Sequence, residues 1–283
     1  EWALRHALGP DQVRVTFLDV GQGDAALIET GTGQAALIDG GGNVGGGPDP
    51  GQAAVLPLLR SRRIAALDLM VLTHPHPDHY GGLFAVLQAM PVRELWDTGQ
   101  AQAEAESDDG PVARLLADAR AHGTRVRRPE ELCYARRTLG ATSLSVLSPC
   151  PSFELALGPN DNSYVLRLEH GVRSFLFTGD IERETELALS KSPERLRSDV
   201  LKVGHHGSRT SSTQALLEAV SPWLAVVSAG RANHFGHPHP EVVERLARSA
   251  HVLQTNRVGG VQVLSDGVSL TVTSTLEPSV LKR

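Results

Sequence analysis

The histidines of this 283-residue sequence are strongly clustered. There are 12 in all, and most lie in three short segments: His74, His76 and His79; His205 and His206; His234, His237 and His239. Histidines scattered over a surface would not group in this way. Imidazole binds divalent metal ions and exchanges protons near neutral pH. The clusters therefore indicate metal or acid–base chemistry, provided that a fold brings the three segments together.

The first segment has the spacing of a metal-binding loop. Residues 74–79 read His-Pro-His-Pro-Asp-His, so three imidazoles and one carboxylate lie within six residues. These groups are ordinary ligands of zinc and manganese. One short loop cannot place all four around a single ion, whereas two ions about 3.5–4 Å apart can share them. The segment therefore predicts a two-metal site.

Several polar residues directly follow strand-like apolar runs. Asp39, His74, Asp180, His205 and His237 all stand at or shortly after such a run. Open α/β sheets place functional loops at strand ends, so these residues are expected to share one rim.

The apolar pattern predicts a mixed α/β fold, not an all-parallel one. Strands are expected near 13–20, 25–29, 35–38, 67–73, 144–147, 163–169, 172–178, 199–203, 223–228 and 261–273. Helices are expected near 53–63, 83–90, 112–122, 182–190, 212–219 and 240–249. Residues 104–110 are predicted to form a polar loop.

Composition narrows the class of protein. With 41% hydrophobic and 21% charged residues, 28 glycines and 17 prolines, the chain is typical of a globular protein and excludes a disordered or collagen-like one. The 27 basic and 32 acidic residues give a net charge of −5, which argues against holding nucleic acid by bulk positive charge. The arginine-rich run 125–137 is interpreted as a solvated surface.

Two cysteines, Cys133 and Cys150, are present. They stand 17 residues apart without a CxxC pattern, which excludes a cysteine-rich zinc site. The sequence leaves open whether they pair.

The motifs together resemble the metallo-β-lactamase superfamily. The H-x-H-x-D-H segment marks the superfamily, with LIDG (37–40) before it and FTGD (177–180) after it. More specific segments resemble the C-terminal hydrolase-like domain of ComEC, the bacterial DNA-uptake channel of natural transformation; they are FLDVGQGDA (17–25), NDNS (160–163), LKVGHHGS (201–208) and NHFGHP (233–238). The resemblance implies an α/β, four-layer αββα sandwich with its site on the rim between two sheets.

The resemblance also implies a ligand set. His74 and His76 would bind the first ion, Asp78 and His79 the second, and Asp180 would bridge both, one oxygen to each. Many superfamily members supply one more histidine before the bridging aspartate, and no convincing one stands there in this chain. Either His205 or His206 is the substitute at the first ion, with His206 preferred, and His237 fits the second ion.

Other motif residues are expected around the ligands. Asp39 would orient the metal-binding loop through hydrogen bonds. Asp24 would line the mouth of the site or cap a turn. A histidine off the metals, His205 or His234, would give a proton to the leaving oxygen or contact a phosphate. The last candidates for a supporting or substrate-binding role are Asn162 and Ser208.

The function implied by the resemblance is a metal-dependent nuclease. Two ions, Mn²⁺ or Zn²⁺, would activate a hydroxide that hydrolyses phosphodiester bonds of the DNA strand that is not imported. The catalytic residues would be Asp78, Asp180 and His205. One alternative is a phosphorylcholine-esterase-like enzyme, which would need an aromatic cage for choline. Another is a non-catalytic domain that guides DNA.

The expected organisation is one hydrolase domain, residues 13–283, after a tail or linker at 1–12 from an upstream region. No apolar stretch is long enough to span a bilayer, so this chain is expected to be soluble and monomeric by itself. The resemblance implies that it belongs to a cytoplasmic-membrane protein and works on the outer face of the membrane. Its partners would be DNA, single-stranded or incoming duplex, and the channel portion of the same protein.

Overall fold

The computed structural model describes residues 7–42, 46–101, 110–231, 233–277 and 280–283. Its first sheet has nine strands in the order β16-β15-β14-β1-β2-β3-β4-β5-β6. These are β1 Val13–Phe17, β2 Ala26–Thr30, β3 Ala35–Ile38, β4 Leu69–Val71, β5 Glu94–Trp96, β6 Arg125–Arg127, β14 Val261–Ser265, β15 Leu270–Ser274 and β16 Leu281–Lys282. The strands from β3 to β6 are parallel and the other pairs are antiparallel.

The second sheet has seven strands in the order β13-β12-β11-β10-β9-β8-β7. They are β7 Arg136–Leu139, β8 Thr142–Ser148, β9 Val165–His170, β10 Arg173–Phe177, β11 Val200–Lys202, β12 Leu224–Val227 and β13 His251–Gln254. The strands from β10 to β13 are parallel. Each sheet therefore has a parallel half whose carboxyl ends carry the loops of the predicted site.

The helices of the described ranges are α1 Leu56–Ser61, which follows a π-helical turn at Gly51–Val55, α2 Pro77–Tyr80, α3 Leu83–Ala89, α4 Pro111–Ala121, α5 Pro129–Leu132, α6 Arg183–Leu189, α7 Pro193–Leu196, α8 Gln214–Val220, α9 Pro240–Ala247 and α10 Thr255–Val258. The longer helices cover the outer faces of the two sheets, whereas α5 and α10 pack Leu132 and Val258 into the core between the sheets. No helix in the described ranges is long and apolar enough to cross a membrane.

The core is divided by the alternation of side chains along the strands. In β2, Ala26 and Ile28 face the other sheet, whereas Leu27 faces α1, α3 and α4. In the second sheet, Leu201 likewise packs under α8 and α9. The order of layers is helices, sheet, sheet, helices, because both faces of both sheets are apolar and must be covered. The predicted four-layer αββα sandwich is confirmed.

The predicted elements differ from the structure at turns and edges. The single strand expected at 261–273 is two strands, β14 and β15, because the Asp266 carboxylate accepts the N–H groups of Val268 and Ser269 and closes a turn. The strand β7 was missed because it lies at a sheet edge and carries arginines. Residues 104–109 of the predicted polar loop and residues 1–6 of the predicted tail lie outside the described residues, and the tail stays a prediction.

The two cysteines form a disulfide bond that joins α5 to the end of β8. Cys133 and Cys150 have Cα atoms 5.7 Å apart, and the described residues contain no free cysteine. The structure thus settles the alternative that the sequence left open.

We expect this disulfide to stabilise the fold. Closing a loop of this length lowers the entropy of the unfolded chain by an amount worth about 3 kcal/mol. Reduction should therefore lower the thermal unfolding midpoint of the wild type, and should leave a Cys133→Ser/Cys150→Ser double variant unchanged. Equal midpoints for the wild type with and without reductant would contradict the prediction.

A buried carboxylate on α6 holds the start of α8. Glu186 accepts hydrogen bonds from the backbone N–H groups of Ser212 at 2.5 Å and Thr213 at 2.6 Å. Burial raises the pKa of Glu186 to about 7, and this outweighs the N–H donors, which favour the ionised form.

This carboxyl group should make the stability fall as the pH rises. The pKa of Glu186 is higher in the folded protein than its ordinary value of 4.5, so the folded state keeps a proton that the unfolded state loses. Its contribution is complete below the ordinary pKa and is lost as the pH passes the folded value, a fall of roughly 2–3 kcal/mol. Urea unfolding across this range should show a smaller fall for Glu186→Gln. The exposed neighbour variant Glu184→Gln should follow the wild type, and parallel curves for all three proteins would contradict the prediction.

Candidate metal centre

The ends of parallel strands from both sheets position the candidate ligands. The loop 74–79 follows β4, Asp180 follows β10, and the turn Gly204–Gly207 follows β11. Gly179 has φ +50° just before Asp180, and a Cβ at this position would lie 2.6 Å from the Cβ of Ser163. Only glycine fits there, so the chain can turn Asp180 into the space between the sheets.

Four side chains form the centre of the site, and we call them the ligand cluster. They are Asp78, His79, Asp180 and His206, each with one ligand atom within 4.8 Å of the others. Asp180 Oδ2 lies 3.2 Å from His79 Nε2 and 3.3 Å from His206 Nε2. His206 Nε2 is also 3.2 Å from Asp78 Oδ2. Two carboxylates and two imidazoles facing one point are a suitable ligand set for a divalent ion.

The remaining histidines of the first segment adjoin this cluster. The His74 ring centroid is 4.1 Å from that of His79 and 4.6 Å from that of His76. His74 Nε2 is 3.9 Å from Asp180 Oδ2. This atom is fully buried and has no hydrogen-bond partner among the described residues. A buried polar atom without a partner is unfavourable unless something else satisfies it, and a metal ion would do so.

Asp39 is hydrogen-bonded to the metal-binding loop. Its Oδ2 lies 2.8 Å from His79 Nδ1, and its Oδ1 accepts the N–H of Thr73 at 2.8 Å. The Thr73 hydroxyl donates to Asp39 at 2.7 Å and lies 3.2 Å from His74 Nδ1. Because His79 donates its Nδ1–H to Asp39, the Nε2 lone pair of His79 is free for a metal ion. The role of Asp39 in orienting the metal-binding loop, which the resemblance implies, stays a prediction.

A buried lysine on β11 is the main feature that the sequence analysis missed. Lys202 forms an ion pair with Asp24 Oδ2, lies 3.6 Å from Asp180 Oδ1 and donates to the carbonyl of Gly179 at 2.9 Å. Burial lowers the pKa of Lys202, but the carboxylates of Asp24 and Asp180 outweigh burial and raise it. The signal was a lysine in the otherwise apolar strand directly before His205 and His206.

Lys202 also accounts for the charge of a second cluster of acidic side chains, which adjoins the ligand cluster. Asp24, Asp39 and His79 have ligand atoms within 4.8 Å of one another. The Lys202 ammonium already neutralises Asp24, and the carboxylate of Asp39 already binds Thr73 and His79. Asp24 is therefore buried in an ion pair rather than lining the mouth of the site.

The two oxygens of Asp180 face different partners. Oδ2 faces His74, His79 and His206, whereas Oδ1 faces Lys202. The Lys202 ammonium, 3.6 Å away, is beyond hydrogen-bond distance, and Oδ1 has no hydrogen-bond partner among the described residues, so the assignment of one Asp180 oxygen to each of two ions stays a prediction.

The tandem histidines point to different surroundings. His206 is buried in the ligand cluster, and its Nδ1 lies 3.1 Å from the carbonyl oxygen of Ser228. His205 is half-buried, and its Nδ1 lies 2.9 Å from Glu182 Oε1. Both have positive φ, 46° for His205 and 53° for His206, which separates their side chains. The structure places His206 with Asp78 and His79 rather than on the side of His74 and His76, where the sequence analysis had placed it.

His237 lies beside the ligand cluster without joining it. Its ring centroid is 5.5 Å from that of His205 and 6.4 Å from that of His206. Burial and the neighbouring His206 and His205 lower the pKa of His237 to about 4, so the ring is neutral at physiological pH.

Three predicted residues are not brought to the ligand cluster. The amide of Asn162 binds the backbone of Glu154, Leu157 and Gly158, so it holds its own loop. The Ser208 hydroxyl pairs with that of Thr210. His234 is exposed at a loop tip. Conversely, the sequence analysis missed Ser163, whose hydroxyl accepts the N–H of Asp180, and Glu182.

The buried ion pair generates a prediction on stability. Replacing Lys202 with Met leaves the carboxylates of Asp24 and Asp180 buried without their cation, which should destabilise the fold by about 3–5 kcal/mol. Adding Asp24→Asn removes one uncompensated charge, so the double variant should be more stable than Lys202→Met alone. Urea unfolding in EDTA measures both, with Asp24→Asn alone completing the cycle. Additive effects of the two substitutions would contradict a direct coupling.

Comparison with known proteins agrees with the fold. Residues 18–231 match the family model of the metallo-beta-lactamase superfamily. Among solved structures, the metallo-beta-lactamase fold protein YhfI from Bacillus subtilis has a TM-score of 0.53 at 13% identity, covering 96% of this chain and all of YhfI. A diphosphatase of the PhnP family also has a TM-score of 0.53, at 15% identity, and covers 85% of this chain and 94% of its own. At such low identity these two structures support the fold alone.

Curated relatives narrow the family. ComE operon protein 3 of Bacillus subtilis is 31% identical over 88% of this chain and 32% of its own length. Recombination protein 2 of Haemophilus influenzae is 32% identical over 87% of this chain and 28% of its own length. Competence protein ComA of Neisseria gonorrhoeae is 32% identical over 90% of this chain and 33% of its own length.

The chain therefore spans about a third of the length of these relatives. Metallo-β-lactamase folds bind divalent metal ions, usually two, and members of the superfamily are typically metal-dependent hydrolases. The fold, the ligand cluster and the relatives agree: the chain belongs to the metallo-β-lactamase superfamily and, within it, to the ComEC family of competence proteins.

Proposed function

We propose that this chain is a metal-dependent nuclease domain that hydrolyses phosphodiester bonds of the DNA strand not imported during natural transformation. The observation that carries the proposal is the buried ligand cluster at the rim of the two sheets, Asp78, His79, Asp180 and His206. The unpartnered Nε2 of His74 beside it extends the ligand set toward a second ion.

The residues present fit two divalent ions, and we favour Mn²⁺ or Zn²⁺. His74 and His76 would hold one ion; Asp78, His79 and His206 would hold the other, with Asp180 Oδ2 facing both groups. His237, expected as a ligand of the second ion, lies outside the ligand cluster, with its ring centroid 6.4 Å from that of His206. Bound ions would supply hydroxide at neutral pH and neutralise charge on the phosphoryl oxygens.

The protein's own groups prepare the site for this chemistry. Lys202 and Asp39 hold Asp180 and His79 in fixed orientations, so the ligands need little rearrangement. Glu182 accepts the Nδ1 proton of His205, so a His205 ring that is also protonated at Nε2 would donate that second N–H to a phosphate or give the proton to the leaving oxygen. His205 is half-buried, so a substrate can reach it from solvent. Asp78, Asp180 and His205 are thus proposed as the catalytic residues.

Support for DNA as the substrate comes from the relatives and from local charge. One relative is named competence protein ComA, and another is named ComE operon protein 3. Although the net charge is −5, Arg209 and Arg231 are exposed on the loops that carry His206 and His237. Exposed arginines beside the ligand cluster would bind phosphates of a strand that enters the site.

The disulfide supports a location outside the cytoplasm. Bonds of this kind persist in oxidising compartments and are rare in the bacterial cytoplasm. We therefore propose that the domain works on the outer face of the cytoplasmic membrane. Its partner there would be the channel portion of the same protein, since the relatives are about three times longer than this chain.

The choline-esterase alternative needs several aromatic rings around the ligand cluster, and the two tryptophans of the described residues do not supply them. Trp96 is buried beside Tyr164, and Trp223 contacts His251 and Arg283. Neither can join an aromatic cage at the ligand cluster, and Trp2 lies outside the described residues.

Nuclease activity is tested with end-labelled single- and double-stranded DNA, incubated with Mn²⁺ or with EDTA. We expect cleavage by the wild type with Mn²⁺ and a loss of at least about 10³-fold for Asp180→Asn, because the amide cannot serve as an anionic ligand. Glu184→Gln, an exposed substitution on α6 outside the ligand cluster, is the matched control and should cleave normally.

Two outcomes would overturn the proposal. Cleavage that persists in EDTA or in Asp180→Asn would come from a contaminant or another mechanism. Bound metal and DNA binding without cleavage, equal in the wild type and Asp180→Asn, would instead identify a guiding domain.

A further inference from the structure

An exposed aromatic ring stands beside the ligand cluster. Phe235 is 58% exposed, whereas the other five phenylalanines, all within the described ranges, are buried or half-buried. Its ring stacks on His237 with centroids 5.8 Å apart and an interplanar angle of 23°. One face of the ring is therefore directed at His237, and the solvent-exposed remainder is accessible to a ligand.

The loop that carries Phe235 is held in place by one side chain. Asn233 Nδ2 donates to the carbonyls of Gly230 at 2.8 Å and His237 at 2.6 Å, and its Oδ1 accepts the N–H of His237 at 2.9 Å. These bonds join the two ends of the segment that contains Phe235. The backbone of residues 233–237 is thus constrained on both sides of Phe235, which lowers the entropy lost when a ligand binds.

Phe235 lies close to the proposed reaction centre. His237, on which it stacks, has its centroid 5.5 Å from that of His205, and His206 Nε2 is 3.3 Å from Asp180 Oδ2. A nucleobase stacked on Phe235 would therefore be separated from the ligand cluster by one or two side chains. This separation is about that of a base from its own phosphate.

The charges near Phe235 fit a polyanion. Arg231 precedes it on the same loop with a side chain that is 63% exposed and only a 3.9 Å contact to Asp19. Arg209 is exposed on the loop that follows His205 and His206. A flat apolar platform flanked by cations is the combination that binds unpaired nucleic acid, in which bases stack on aromatic rings and phosphates meet basic side chains.

We propose that Phe235 is a substrate-binding residue that stacks against a nucleobase and gives the site its preference for unpaired strands. In a duplex both faces of each base are covered by neighbouring bases, so only an unpaired or frayed strand can use the platform. This proposal rests on the proposed function. It also specifies the form of nucleic acid, an unpaired strand, that the site would select.

The test measures binding without catalysis. The full chain in EDTA is titrated into two short fluorescent single strands of equal length, one with normal bases and one abasic. Phe235→Ala should weaken binding of the normal strand by about 10- to 100-fold and binding of the abasic strand by less than about twofold. Phe235→Trp should bind the normal strand at least as tightly as the wild type.

Control variants separate stacking from other effects. Tyr134→Ala removes the other exposed aromatic side chain of the described residues, on the loop after α5, and should bind both strands normally. Phe235→Leu keeps an apolar side chain without a ring and should resemble Phe235→Ala. Thermal unfolding midpoints should be equal for the wild type and the Phe235 variants.

The outcomes are distinct from those of the nuclease assay. Equal weakening of both strands by Phe235→Ala, or wild-type affinity for Phe235→Leu, overturns base stacking. Failure of the wild type to bind the normal strand more tightly than the abasic strand also overturns it. Ring-dependent binding by a protein that never cleaves DNA supports the platform and contradicts only the nuclease.

Discussion

The site depends on a lysine ammonium buried between two aspartates. Lys202 stands at the end of a strand in one sheet, and its partner Asp24 stands in a loop of the other. Charges so far from water are tolerated only when they are paired and hydrogen-bonded, and Lys202 also donates to a backbone carbonyl. The same ammonium lies 3.6 Å from Asp180 Oδ1, and the other oxygen of this carboxylate faces the histidines.

Around this ion pair, unusual backbone conformations aim the ligands. Asp39, His205 and His206 have positive φ values without being glycines. Each such residue costs on the order of 1–3 kcal/mol, and these conformations persist where the surrounding structure enforces them. Here the hydrogen bonds of Asp39 with Thr73 and the contact of His206 with Ser228 provide that enforcement. Three of the seven non-glycine residues with positive φ in the described ranges therefore lie at this rim.

The proposed nuclease and the proposed aromatic platform divide the recognition of a strand. Phosphates, which every nucleic acid carries, would be bound by the ligand cluster, His205 and the exposed arginines. Phe235 addresses a base face, which only an unpaired strand offers. Such a division suits a protein with a negative net charge, because affinity then comes from a few placed groups and not from an overall positive potential.

The sequence by itself predicted a mixed α/β fold, a metal-binding loop and a shared rim at the strand ends, whereas the four layers and the assignment of ligands to each ion were implied by the resemblance to the metallo-β-lactamase superfamily. It could do so because the motif 74–79 and the apolar runs are local patterns, and strand ends in open sheets meet at one rim. Tertiary structure alone decided the pairing of Cys133 with Cys150, the separate surroundings of His205 and His206, and the partner of Lys202. These depend on contacts between segments far apart in the chain and on backbone φ values. Residue type and spacing do not encode such contacts, so a lysine in an otherwise apolar strand did not by itself reveal its partner Asp24.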